Sequence, residues 1–112
     1  MTLEIVPEDF EKIDMRAGVV TAVDDFPRAR NPSYRLTIDF GDEIGVKRSS
    51  VQATNYPKEA LQGMTVIAVV NFAPKNIAGF LSEVLVLGVP AAGGGIALLA
   101  PSRDAVRGGR VY

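Results

Sequence analysis

Residues Tyr34 to Phe40 alternate without a fault: Tyr34, Leu36, Ile38 and Phe40 are apolar or aromatic, and Arg35, Thr37 and Asp39 between them are polar. Successive strand side chains point to opposite faces, so this segment is a strand with one dry face and one wet face. The residues that follow break the rhythm. Ile44 and Val46 share one parity, whereas Val51 and Ala53 share the other. A strand changes phase only through a bulge or bend, and the sequence places it at Lys47-Arg48-Ser49-Ser50. Small barrels need such corners to close.

The rest of the chain reads the same way, as short strands between turn signals. Asp14 to Asp25 is a first long strand, with Met15, Ala17, Val19 and Val23 on one face and Val20 and Ala22 on the other. Gly18 within it marks a bend or a close backbone approach. Phe26 to Pro32 is a loop, and Gly41-Asp42-Glu43 a turn. Met64 to Phe72 and Val84 to Val89 are apolar on both faces, although a barrel wall has only one inner face. Their outer faces therefore need cover from a helix, a terminal segment or another subunit. Gly93-Gly94-Gly95 is a flexible turn, Ile96 to Ala100 a further strand, and Val111-Tyr112 can pair with another strand. Two short helices complete the pattern. Pro7 to Lys12 has Pro at the start, acids in the first turn and Lys at the end. Asn55 to Gly63 begins at Pro57 and has Gly63 to end it. A helix between the third and fourth strands is the usual OB-fold order, so the expectation is an all-β, five-stranded OB-fold barrel. The 112 residues suffice for one domain.

Composition narrows the chemistry. The chain has no Cys and no His, so it has none of the ligands on which structural zinc depends and no thiol or imidazole for catalysis. An enzyme would have to work with Asp, Glu, Lys, Tyr or Ser alone, and no spacing points to one. Asp24-Asp25 and Asp42-Glu43 are paired acids on turns without an EF-hand pattern, and the glycine triplet is not followed by the Lys-Ser or Lys-Thr of a P-loop. No metal and no cofactor are expected. The net charge of −1 confines any RNA site to a local patch. Met1 to Pro7 lacks the basic and apolar segments of a signal peptide, and no apolar run approaches the roughly 20 residues that span a bilayer. The absence of disulfides fits a reducing compartment, so the expectation is a cytoplasmic protein.

Two segments are candidate sites. Lys47-Arg48-Ser49-Ser50 offers two cations and two hydroxyls for phosphates, or the protective charges of a solvated edge strand. Asn71 to Ser82 offers Asn71, Ser82 and Lys75 for polar contacts and Phe72 and Phe80 for stacking on bases. On the residues alone the plainer reading is a structured turn, with Asn71 bonding its backbone and both rings in the core. Arg28, Arg30 and Arg35 form a third cluster, read as a solvated loop.

These stretches carry a family resemblance. Asp9-Phe10-Glu11-Lys12-Ile13-Asp14-Met15-Arg16-Ala17-Gly18, Ile38-Asp39-Phe40-Gly41, Ile44 to Ser50, Val66 to Phe72, Ala78-Gly79-Phe80 and Ser82 to Gly88 resemble CsaA proteins, within the wider family of tRNA-binding domains appended to methionyl-tRNA synthetases. The resemblance implies an OB-fold core over about residues 14–100, with terminal extensions that help to join a homodimer. It also implies tRNA, unfolded or precursor polypeptides and the secretion machinery as partners, and a chaperone without physiological RNA binding as the alternative. Asn71, Lys75 and Ser82 match positions associated with tRNA contact in the wider family, and Lys47 and Ser50 lie in its basic strand. Asn76, where many relatives have Arg or Lys, and Glu83-Val84, in place of Gly-Met, depart from the synthetase pattern.

Overall fold

A computed structural model of the chain describes residues 2–112, so Met1, where the signal-peptide reading begins, lies outside the described residues. Five strands form one antiparallel sheet in the order β3-β2-β1-β4-β7. They are β1 (Met15–Asp25), β2 (Tyr34–Asp39), β3 (Val46–Val51), β4 (Thr65–Val69) and β7 (Leu85–Val86). Two hairpins are added: β5 (Lys75–Ile77) with β6 (Phe80–Ser82), and β8 (Gly88–Pro90) with β9 (Ile96–Leu98). A nearly closed five-stranded barrel results, the OB-fold expected from the alternation. No helix is long and apolar enough to cross a membrane among the described residues.

The expected core residues are in place: Leu36 and Ile38 of β2 and Phe40 just after it are buried, together with Val66 and Ala68 of β4, Val84 before β7 and Val86 within it. Leu61, fully buried, joins this core from helix α3 (Lys58–Leu61). Pro57 stands at the N-cap of α3, and Gly63, with φ +83°, turns the chain out of it. The expected first helix is α1 (Pro7–Glu11), while the turn after β2 is the single helical turn α2 (Gly41–Ile44).

Two expectations about phase are corrected. β3 has no bulge or corner at Lys47–Ser50: it pairs with β2 in unbroken register from Tyr34↔Val51 to Asp39↔Val46. The parity changes because Val46 simply points outward, at 59% exposure. Lys47, Ser49 and Val51 form the row on the Ile38 side, and Arg48 and Ser50 the outer row. The irregularity lies in β1, where the register with β2 shifts between Val20 and Ala22. The segment after α3 accounts for it. Gly63 donates to the Val20 carbonyl, Val20 donates to the Met64 carbonyl, and the Gln62 amide reaches the Thr21 carbonyl at 2.6 Å. The shift turns Val20 inward with Val23, opposite Ile38 and Leu36, and leaves Val19 only partly buried.

The tail pairs with another strand, as expected. Val111 donates to Met15, Ala17 to Gly109 and Gly108 to Ala17, with a bridge between Arg16 and Arg110. The two-faced apolar runs are covered unevenly: Val66, Ala68 and Val69 are buried, so β4 is covered on both faces at its end, whereas Phe72, Leu85 and Val89 remain exposed.

Candidate nucleic-acid interface

The two candidate segments meet along the seam where the barrel closes. Across the sheet, β3 and β7 are the outermost strands, and residues 82–84 run along the free edge of β3. Glu83 donates its N–H to the Arg48 carbonyl at 2.8 Å. Its carboxylate accepts the Arg48 N–H at 3.0 Å. The Ser82 hydroxyl accepts the Ser50 N–H at 3.0 Å, and the buried Ser49 hydroxyl donates to the Val84 carbonyl at 3.0 Å. Side chains thus replace most of a strand ladder, satisfying backbone groups that an open edge would leave unpaired. Glu83 is not among the candidate site residues read from the sequence, where its signal is the Glu83-Val84 departure from the synthetase pattern.

The remaining candidates divide by environment. Asn71 lies beyond β4, and its amide is engaged on both sides: Oδ1 accepts the Asp14 N–H at 3.0 Å and Nδ2 donates to the Lys12 carbonyl at 2.8 Å. It fastens the end of α1 to the barrel. Phe72, 56% exposed, offers an open ring. With Ser50, Lys75, Ser82 and Leu85 it lines an apolar recess of about 370 Å3 beside the seam. Lys47 does not line it, since its side chain leaves β3 on the opposite face from Ser50.

Phe80 is buried, at 8% exposure. The Arg48 guanidinium lies over it, 4.8 Å from the ring centre, and Phe26 meets it edge-on at 5.4 Å. Arg35 lies over Phe26 at 5.5 Å. Such stacks are worth about 0.5–2 kcal/mol per cation–ring pair and hold the guanidinium planes still. Arg28 joins Arg35 and Arg48 around a second recess, with Ala78 and Gly79 on its wall. Two members of the loop-and-strand cluster read as merely solvated thus face a pocket, while Arg30 lines a separate one beside Pro32 and Ser33.

Ion pairing divides the cations into two groups. Of the 12 Lys and Arg residues, Lys12, Arg16, Lys58, Arg107 and Arg110 are ion-paired. Among the described residues, Arg28, Arg30, Arg35, Lys47, Arg48 and Lys75 have no carboxylate within salt-bridge distance, and neither has Arg103. Apart from Arg103 in the tail, these residues lie on the β1–β2 loop, β2, β3 and the β5–β6 hairpin.

The family model described as "Putative tRNA binding domain" matches residues 15–110. The chain belongs to that family. Among its curated relatives, the methionine–tRNA ligase of Methanocaldococcus jannaschii is 35% identical over 103 residues, covering 90% of this chain and 15% of the ligase. That of Nitrosomonas eutropha is 36% identical over 104 residues, covering 93% and 15%. The chain thus spans about 15% of the length of the ligases it matches. Solved structures match it from end to end. The CsaA chaperone protein of Picrophilus torridus is 50% identical with a TM-score of 0.92, covering 97% of this chain and all of the other. The CsaA chaperone of Bacillus anthracis is 46% identical with a TM-score of 0.90, covering 98% and 100%. Both likenesses support the CsaA branch of the tRNA-binding family.

Proposed function

We propose that the chain is a non-catalytic, cytoplasmic binding protein that takes tRNA and unfolded polypeptide on the surface around the barrel seam, and that it works as a homodimer. The unpaired cations from Arg28 to Lys75 carry the RNA part of this reading. A chain of net charge −1 keeps these guanidinium and ammonium groups free of acids on one set of neighbouring elements, which is what phosphate contact requires. The matched family supplies the class of nucleic acid, and the CsaA neighbours the chaperone role. Precursor polypeptides and the secretion machinery are the partners the resemblance implies. Phe72, Leu85 and the apolar recess between them suit an extended apolar segment.

The dimer reading rests on a different surface. Pro7, Phe10, Ile13, Val111 and Tyr112 line a groove of about 590 Å3 where α1 meets the tail. Ile5, Val6 and Tyr112 are largely exposed. A second copy would cover this apolar patch.

Light scattering with and without tRNA tests both parts. The expected mass is twice the 11.9 kDa subunit, rising with tRNA at low salt and falling back as salt is added. Lys47→Glu with Lys75→Glu should weaken the tRNA complex and flatten its salt dependence. A subunit-sized particle at micromolar concentration would remove the dimer. Suppressed aggregation of a denatured client without any tRNA shift would leave a chaperone alone.

A further inference from the structure

We infer that the recess walled by Arg28, Arg35 and Arg48 is a phosphate site for single-stranded RNA, separate from the Phe72–Lys75 recess; this rests on the tRNA reading above. Three observations converge on it. First, three guanidinium groups border one pocket of about 370 Å3, and none has a carboxylate within salt-bridge distance among the described residues. Like charges gathered without an acid are unfavourable until an anion joins them, and three of them suit the repeated charge of a nucleic-acid backbone better than a single carboxylate.

Second, Arg35 and Arg48 are held by rings rather than by acids. They lie 5.5 Å and 4.8 Å from the centres of Phe26 and Phe80, which meet each other edge-on. The Arg48 Nε is shut off from solvent with no hydrogen-bond acceptor. Arg35 directs its Nε to the Asp25 carbonyl at 2.9 Å. The two guanidinium planes are therefore pre-positioned while their charge is left unneutralised. Such a plane takes a phosphate along its edge in a two-pronged contact, and takes an unstacked base on its open face.

Third, the far wall is built small at a conformational cost. Ala78 adopts φ +50° and Gly79 φ +84° at the tip of the β5–β6 hairpin. A non-glycine residue with positive φ is held there against its preference. Asn76 stabilises the turn by accepting the Gly79 N–H at 2.9 Å. Ala78 and Gly79 leave the recess open beside the arginines.

The decisive probe is a short oligouridylate titrated into the isotope-labelled protein while the side-chain Nε–Hε signals of Arg35 and Arg48 are followed. Both should shift saturably, and free uridine monophosphate should move the same signals only weakly. Arg28→Gln with Arg35→Gln should lower the slope of log affinity against log salt by about 1.4, at about 0.7 per lost phosphate contact on a single strand, with unchanged circular dichroism. Arg28 is exposed and makes no side-chain bond among the described residues, so Arg28→Gln alone, expected to lower the slope by about 0.7, guards against a folding defect in the double variant. Lys75→Glu should leave the Arg48 shift in place. The inference fails if oligouridylate binds with these signals and slopes unmoved, which leaves the tRNA reading intact. It fails too if inorganic phosphate or a free-carboxylate peptide moves the signals and oligouridylate does not. Absence of any binding, by oligouridylate and tRNA alike, would remove the tRNA reading and the site together.

Discussion

Gly18 shows how closely single residues are specified. It is buried in β1, and a Cβ placed there would lie 2.6 Å from both the Ile38 side chain and the Phe40 ring. Ile38 and Phe40 are themselves almost fully buried, so neither has room to retreat. The mid-strand glycine thus reflects a close approach, one of the two readings open to it in the sequence. Gly18→Ala should destabilise the barrel by about 1–3 kcal/mol, the usual cost of overpacking a filled core. A lowered midpoint in urea at unchanged slope checks this. An unchanged midpoint would mean that the core around Phe40 yields.

At the scale of elements, the barrel was legible because strand alternation is local. Tyr34 to Phe40 announce their inner face residue by residue, and Pro57 and Gly63 bracket a helix in the same local way. The seam was not legible. Its bonds join Arg48, Ser49 and Ser50 to Ser82, Glu83 and Val84, and sequence pattern carries no record of pairs so far apart. The same limit hid the phase of β3. Val46 looks like a core residue by composition, and only the unbroken register with β2 shows it facing out. It also hid the Phe26–Phe80 contact that positions Arg35 and Arg48, and with it the recess that these two residues share with Arg28. The seam makes its own prediction. Ser49→Ala leaves the Val84 carbonyl without its buried donor, at a cost of about 1–3 kcal/mol. Ser82→Ala removes a part-buried acceptor from the Ser50 N–H and should cost less. Hydrogen exchange locates the effect: the β3 amides should lose protection before those of β1 and β4. Uniform loss across all strands would show that the seam does not open independently.

For the whole molecule, Asp14 is the point where α1, β1, β4 and the tail are tied together. Its backbone accepts from Val70 and donates to Asn71, and its carboxylate binds Arg16 at 2.6 and 3.3 Å with Arg110 at 3.6 Å. Arg16 also reaches Glu43 and the Gly108 carbonyl. The hydrogen bond from Arg16 holds the Asp14 carboxyl below its ordinary value of 3.8, aided by the charges of Arg16 and Arg110 and opposed by burial. A carboxylate with a lowered folded pKa contributes stability that is complete above 3.8 and is lost as pH falls through the folded value. Acid should therefore loosen the α1–tail corner first. Since the proposed dimer surface is built from that corner, dissociation and loss of stability should accompany each other. Asp14→Asn keeps the shape of the side chain without its charge. It should melt below the parent protein at neutral pH and lose less on acidification from about pH 5 to about pH 2. Thermal melts and light scattering across that range test the link. Parallel melting curves for the two proteins would mean that the tail is held without Asp14, and a dimer that persisted in acid would place the subunit contact elsewhere.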